Sequence, residues 1–239
     1  MTCWVRQPSH RILQWTLALL PVLSACIGLA TLLALFLEWD LRSGRMRYDT
    51  MQPNQSIAYI SDVAAHRLKP LFIIGSISSS TLFNIAFISQ RWRRNGSSDT
   101  VLRQRIPTTL AVLLVLSGSI ALCCLAGFDI ARFPKLHTAF LILFIFGYLS
   151  SGLFVCREYF RLGQHRKGVL RISFYIKQFL FIVEMILGIA FIAAQGRSDF
   201  DLAAILEWII AILFYLYIIS FSLDLIPGKR EDQASDLRG

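Results

Sequence analysis

Six long apolar segments separated by short polar segments dominate the sequence. A helix needs about 20 apolar residues to cross about 30 Å of hydrocarbon, and each segment is close to or above that length. In hydrocarbon the backbone must satisfy its own hydrogen bonds, and these segments are too uniformly apolar for alternating barrel strands. The sequence therefore predicts an all-α polytopic protein with six transmembrane helices, at about Leu13–Leu37, Leu71–Ile88, Pro107–Phe128, Leu136–Cys156, Ile172–Ala194 and Leu202–Ile226.

Charge is sparse and segregated, which separates this chain from soluble proteins. Hydrophobic residues make up 55% of the sequence and charged residues only 16%, against about 25% charged residues in soluble domains. The net charge of +9 comes mainly from short loops, where basic residues contact anionic headgroups. We therefore expect membrane lipids as partners, including anionic phospholipids at the basic cytosolic loops, and we expect no nucleic acid.

The distribution of Lys and Arg predicts the orientation of the chain. The N-terminal segment, the second loop, the fourth loop and the C-terminal tail carry two, five, five and three of these residues. The first, third and fifth loops carry five, two and one. The positive-inside rule then places both ends in the cytosol. We predict a cytosolic segment 1–12, a six-helix domain 13–226 with a luminal or extracellular loop 38–70, and a disordered cytosolic tail 227–239.

One glycosylation acceptor falls in the long first loop. Asn54-Gln55-Ser56 fits the acceptor pattern, and the predicted orientation places Asn54 on the glycosylated side of the membrane. Asn95-Gly96-Ser97 fits the same pattern, but it falls on the cytosolic side and should stay unmodified. Asn54 is therefore the candidate for modification.

Small residues cluster on three of the predicted helices. Small residues four apart allow helix backbones to approach closely in lipid, so we expect these residues to mediate helix packing. A polar groove for a substrate is the alternative. The residues are Gly75, Ser76, Ser78, Ser79 and Ser80 on the second span, Ser117, Gly118 and Ser119 on the third, and Gly147, Ser150, Ser151 and Gly152 on the fourth.

Two ionisable residues and one amide interrupt the apolar segments. Lys177 lies near the cytosolic end of the fifth span, and we expect it to extend its amine to the headgroups. Glu184 is about 10 Å further along the same helix face, too far for a direct pair. It must find a partner on another helix or stay protonated, and a functional proton or headgroup site remains open beside a structural one. Asn84 on the second span is expected to hydrogen-bond between helices.

A set of polar residues shares one membrane depth once the topology is applied. Asp62 precedes the second span, Asp129 follows the third, His137 opens the fourth and Glu207 lies near the start of the sixth, all on the outer side. The set could satisfy the ends of the helices, recognise a lipid headgroup, bind a metal or supply a general base. No known nucleophile, phosphate-binding or zinc motif accompanies it, so we assign no catalytic residue, metal or cofactor.

Three short motifs give the chain a family resemblance. Tyr59-Ile60-Ser61-Asp62 precedes the second span, His137 begins the fourth, and Glu207-Trp208 is followed by Ser220-Phe221 and Asp224. In these motifs and their order the chain resembles the DRAM (damage-regulated autophagy modulator), Frag and Sfk-type superfamily of six-span proteins, which includes membrane components of GPI-anchor lipid remodelling. Thr138-Ala139 departs from the pattern of members that have an acidic residue and glycine there.

The resemblance implies six spans and a place in the endomembrane system or the plasma membrane. It also implies a role in lipid organisation, phosphoinositide signalling, GPI-anchor maturation or autophagy. Our first hypothesis is a non-enzymatic modulator that engages lipid or a membrane-protein partner. The alternative is a lipid-remodelling enzyme that acts on GPI or related lipids at the outer polar residues. A transporter coupled through Glu184 is the third and least favoured hypothesis.

Overall fold

The computed structural model describes residues 8–95, 101–163 and 169–225, and every regular element in these ranges is helical. Six of the helices are long and apolar enough to span a membrane, which confirms the predicted fold class. We call them the first to sixth spans in chain order. The helices are α1 (Pro8–Leu37), α2 (Ile60–Ala64), α3 (Lys69–Asn95), α4 (Val101–Gly127), α5 (Pro134–Gly163), α6 (Val169–Gly196), α7 (Phe200–Ser220) and α8 (Ser222–Leu225).

The helices extend beyond the predicted apolar segments at several ends. The first span continues through a π-helical turn, Glu38–Arg42, and the helix of the third span begins at Val101 rather than Pro107. The segment 38–70, which the positive-inside rule predicts to be outside and which we call the outer loop, contains the short helix α2 and ends in the first turn of α3, so it is partly helical. Residues 1–7 of the predicted N-terminal segment and the whole predicted tail, 227–239, lie outside the described residues.

The spans form a ring in which each packs against its neighbours in sequence. The third and fourth spans make the most extensive contact, and the sixth packs back against the first to close the ring. This order follows from short connections, which favour antiparallel neighbours. The fifth span is the least buried, and one face presents Ile182, Ile186, Ile189 and Ile192 to lipid. The ring brings the outer ends of distant segments together.

Small residues lie where spans approach most closely, which confirms the packing prediction at these positions. A Cβ added at Gly147 would lie 2.8 Å from the Cα and backbone nitrogen of Gly118 on the neighbouring span. The hydroxyl of Ser24 donates to the carbonyl of Ser79 at 2.8 Å, and Ser151 donates to the carbonyl of Ala111 at 3.0 Å. Such contacts replace the hydrophobic driving force that is missing between helices in lipid.

Aromatic side chains fill the centre of the ring. Phe83 packs edge-on against Phe221 at 5.4 Å between ring centroids, and Tyr148 packs edge-on against Phe214 at 4.9 Å. The Tyr148 hydroxyl also bonds Ser119, whose own hydroxyl reaches Asn84 Oδ1 at 3.0 Å. Asn84 therefore bonds a neighbouring helix, as predicted. Edge-on aromatic pairs add to the packing energy beyond the area that they bury.

The contact of Gly147 with Gly118 gives a stability prediction. Gly147→Val should lower the free energy of unfolding by about 3 kcal/mol, because its side chain would meet backbone that can move only by separating two spans. The matched control is Gly188→Val, since a Cβ at Gly188 meets nothing within 4 Å. Thermal unfolding in detergent measures both variants. Equal unfolding temperatures for the two variants would contradict the close approach.

Candidate functional site

The outer loop is attached to the start of the sixth span by three side chains of that span. Glu207 Oε2 accepts the backbone N–H of Ile60 at 2.8 Å. Asp201 Oδ1 accepts the backbone N–H groups of Ser56 and Ile57 at 2.6 and 2.9 Å. The indole N–H of Trp208 donates to the carbonyl of Ala58 at 3.0 Å. The segment 56–60 has no strand or long helix to pair its backbone, so these side chains supply the partners.

Asp62 organises the same loop from within. Its side-chain oxygens accept the hydroxyl of Thr50 at 2.6 Å, the amide of Gln55 at 3.1 Å and the backbone N–H of Tyr59 at 3.0 Å. The last bond satisfies a free backbone N–H at the start of α2. Only 1% of Asp62 is exposed. Burial of a carboxylate is tolerated where several donors satisfy it, and Asp62 meets that condition.

Tyr59 is next to both carboxylates along the chain, since its own N–H donates to Asp62 and the N–H of Ile60 donates to Glu207. Burial and the neighbouring negative charges of Glu207 and Asp62 raise the pKa of the Tyr59 phenol far above its ordinary value. The phenol therefore stays neutral at physiological pH. Within the described ranges its hydroxyl has no hydrogen-bond partner. We call Tyr59, Ile60, Asp62, Asp201, Glu207 and Trp208 the loop cluster.

A second outer group surrounds Asp129 between the third and fourth spans. Lys69, the first residue of α3, forms an ion pair with Asp129, and the backbone N–H of Arg132 donates to Asp129 Oδ1 at 2.7 Å. Burial alone would raise the pKa of Asp129, but the Lys69 ammonium and the Arg132 N–H bring it below its ordinary value. Asp129 therefore stays ionised at neutral pH and ties the second span to the third.

His137 is buried at the start of the fourth span beside Asp129. Its Nδ1 lies 2.9 Å from the carbonyl oxygen of Phe128, where the third span ends. The four predicted outer residues thus occupy one end of the bundle in two groups, Asp62 with Glu207 and Asp129 with His137. The first group bonds to residues of the outer loop, and the second bonds to Lys69, Arg132 and Phe128.

Lys177 does not extend to the headgroups, so that prediction was wrong. Only 1% of Lys177 is exposed, and its amine lies 3.0 Å from Asp224 Oδ2 on α8. It also donates to Ser173 Oγ at 2.5 Å and to the carbonyl of Ser220 at 2.9 Å. The amine turns inward because the antiparallel sixth span ends at the same membrane depth and supplies an anion there. A paired charge inside the protein avoids the stretched conformation that snorkelling requires.

The partners of Lys177 complete a buried inner cluster at the opposite end from the outer residues. The Ser173 hydroxyl donates to Asp224 Oδ1 at 2.6 Å, and the side-chain amide of Gln90 also donates to Asp224. The Lys177 amine sits 4.7 Å above the ring centroid of Phe221. We call Gln90, Ser173, Lys177, Ser220 and Asp224 the inner cluster. Gln90 and Ser173 were not predicted, because polar residues at the ends of spans are common and nothing in the sequence indicates their partners.

Glu184 differs from the other ionisable residues in the spans. It is half-buried, and among the residues that the structure describes no hydrogen-bond partner lies within reach of its Oε1. Glu184 was predicted to find a partner on another helix or to stay protonated, and in the described residues Oε1 has no such partner. Asn54 lies exposed in a turn of the outer loop, where a modifying enzyme could reach it.

The chemistry available at the outer end includes hydrogen bonding and charge. In the described part of the chain, no three His, Cys, Asp or Glu side chains group closely enough to hold a metal ion. Each carboxylate of the loop cluster accepts donors from the loop, Asp62 through both oxygens, Asp201 through Oδ1 and Glu207 through Oε2. The sequence motifs Tyr59–Asp62 and Glu207-Trp208, far apart in the chain, are thus in direct contact.

Comparison with known proteins gives consistent matches over this architecture. The family model for the Frag1/DRAM/Sfk1/Cwh43P N-terminal domain matches residues 16–228, from within the first span to just beyond the sixth. Protein sfk1 of Schizosaccharomyces pombe is 27% identical over 214 residues, covering 84% of this chain and 60% of sfk1. The chain therefore spans about 60% of the length of this curated relative. No solved structure matches the chain.

The bond between Glu207 and Ile60 gives a prediction for the outer loop. Glu207→Ala should cost about 1–3 kcal/mol, because it leaves the buried N–H of Ile60 without an acceptor. Hydrogen exchange at the Ile60 amide and protease cleavage of segment 43–59 should both accelerate. Glu207→Gln is the matched control, since its amide oxygen can accept the same N–H. Unchanged exchange in Glu207→Ala would show that the loop does not depend on this bond.

The inner cluster gives a second prediction. Lys177→Met should lower the free energy of unfolding by about 3–5 kcal/mol, because it strips a partner from the buried carboxylate of Asp224. The double variant Lys177→Met with Asp224→Leu should recover much of that loss. Arg171→Met, which removes an exposed cation from the same helix, is the control and should cost less than about 1 kcal/mol. If the double variant lost as much free energy of unfolding as Lys177→Met and Asp224→Leu lose in sum, Lys177 and Asp224 would not be coupled.

Proposed function

The chain belongs to the Frag1/DRAM/Sfk1/Cwh43P family and is an integral, multi-pass protein of the endomembrane system or the plasma membrane, and from this membership we propose that it modulates the organisation of membrane lipid without transforming it chemically. The lipid would be engaged by the bundle and its outer surface.

The state of the outer carboxylates carries this proposal. A general base or nucleophile needs an oxygen within hydrogen-bond reach of a substrate. The side-chain oxygens of Asp62 accept donors from Thr50, Gln55 and Tyr59, and Glu207 Oε2 accepts from Ile60. These groups hold the loop on the sixth span. Their engagement supports a scaffold for lipid or protein contacts over a site of chemistry.

Three cellular settings follow from the family resemblance and remain part of the proposal. They are phosphoinositide signalling, GPI-anchor maturation and autophagy. A scaffold serves any of them by changing which lipids gather beside it or by holding a membrane-protein partner. The basic cytosolic loops would add attraction for anionic phospholipid, at about 1 kcal/mol for each Lys or Arg near the surface.

A lipid-remodelling enzyme acting on GPI or related lipids is the second candidate. One observation favours it: the buried hydroxyl of Tyr59 lies near Glu207 and Asp62 and, in the described part of the chain, lacks a hydrogen-bond partner. A neutral phenol beside carboxylates could move a proton to or from a lipid group. Tyr59→Phe removes that hydroxyl without removing a hydrogen bond seen in the structure.

The two candidates separate in cells that lack the gene and re-express variants. For a modulator, wild type and Tyr59→Phe should both restore lipid order, measured with a polarity-sensitive probe in isolated membranes. The amounts of individual lipid species should change less than about twofold. Glu207→Ala serves as the control that loses activity through the loop. Loss of activity in a folded Tyr59→Phe protein, with accumulation of one lipid species, would support the enzyme and reject the modulator.

A further inference from the structure

A groove opens at the outer ends of the second and third spans, beside Asp129. It has a volume of about 570 Å³ and is open to the surroundings. Its rim carries the cationic side chains of Arg67, Lys69 and Arg132, and its wall toward the membrane is formed by Ile73 and Ile74. The groove therefore places positive charge above an apolar surface.

The positive charge at the rim is only partly compensated. Asp129 is held by the Lys69 amine and by the backbone N–H of Arg132, which leaves the side chain of Arg132 exposed. Lys69 and Asp129 cancel as a pair. Arg132 then adds a positive charge that can meet an anion in the groove.

Arg67 adds a second available guanidinium. It pairs with Glu38 Oε1 at 3.9 Å, and Glu38 also pairs with Arg42 at 3.6 Å. The side chains of both arginines are 59% exposed, and exposed pairs at these distances contribute little binding energy. Among the residues that line the groove, Arg67, Lys69 and Arg132 thus outnumber the one carboxylate of Asp129.

The apolar wall lies directly beneath the rim. Ile73 follows Lys69 by four residues, so it sits one helical turn, about 6 Å, deeper along the second span. Ile74 is 64% exposed beside it. A free anion would use only the rim, whereas a molecule with a charged head and a hydrocarbon chain would use both surfaces.

We propose that this groove binds an anionic glycerophospholipid, with its phosphate at Arg67 and Arg132 and an acyl chain along Ile73 and Ile74. The inference rests on the proposed function, because it names a lipid that the modulator would hold. The lipid belongs to the leaflet that meets the start of the second span. Guanidinium groups suit phosphate geometry, and the excess cationic charge disfavours headgroups that carry their own cation.

Native mass spectrometry of the full chain in detergent tests this site with dioleoylphosphatidylglycerol and dioleoylphosphatidylcholine. Wild type should bind the anionic lipid at least about tenfold more tightly than the zwitterionic one. The double variant Arg67→Gln with Arg132→Gln should lose about 30-fold in affinity for the anionic lipid, and Arg132→Gln alone about fivefold. The single variant carries the test if the double variant unfolds. Arg197→Gln, an exposed outer cation away from the groove, should change the affinity less than twofold.

Three results would overturn the proposal. The first is equal affinity for the two lipids in wild type. The second is an equal loss in Arg197→Gln and in the groove variants, which would mean diffuse surface charge. The third is displacement of the lipid by 10 mM inorganic phosphate, which would mean a site for free anions. Failure here leaves the lipid-order assay in cells unaffected, and failure of that assay leaves this selectivity measurable, so the two proposals fail separately.

Discussion

The hydrogen bond from the backbone N–H of Ile60 to Glu207 Oε2 joins segments that are 147 residues apart in sequence. A carboxyl so near the start of a span would be costly in lipid without a partner, and a loop without regular pairing leaves backbone donors unsatisfied. The hydrogen bond satisfies both groups, because the loop N–H is the donor that the carboxyl needs and the carboxyl is the acceptor that the N–H needs. The ring of spans depends on such exchanges, because apolar faces alone give helices in lipid no strong reason to choose one neighbour over another.

The other end of the sixth span repeats this logic with full charges. Asp224 receives the amine of Lys177, the hydroxyl of Ser173 and the amide of Gln90, so groups from the second, fifth and sixth spans meet at one carboxylate. A buried pair of this kind contributes little net stability relative to apolar packing, but losing either partner is expensive. The inner cluster therefore specifies which helices meet and at what depth.

Hydropathy predicted the six spans because hydrocarbon imposes a length and a composition on each of them. The spacing of small residues predicted the helix contacts at Gly147 and Ser79, because small residues allow helices to approach closely. Neither pattern predicted the partner of Lys177. That partner depends on how two helices rotate about their axes, and the side chain of a lone lysine is equally compatible with headgroups or with a buried anion. The pairing of Lys69 with Asp129 depends in the same way on how the second and third spans rotate against each other, which neither segment shows alone.

The outer end also separates polar groups by what surrounds them. Asp62 is buried among loop donors and Asp129 is paired with Lys69, so a ligand reaching either carboxylate would first have to displace bonds that hold the fold. The side chain of Arg132 is exposed, and it lies at the open rim of the groove above the apolar wall. A ligand can therefore bind at this rim without breaking bonds that hold the fold. The buried carboxylates keep the helices that form the rim in position. A sequence shows both kinds of residue as charges near the ends of spans, and only their burial and partners tell them apart.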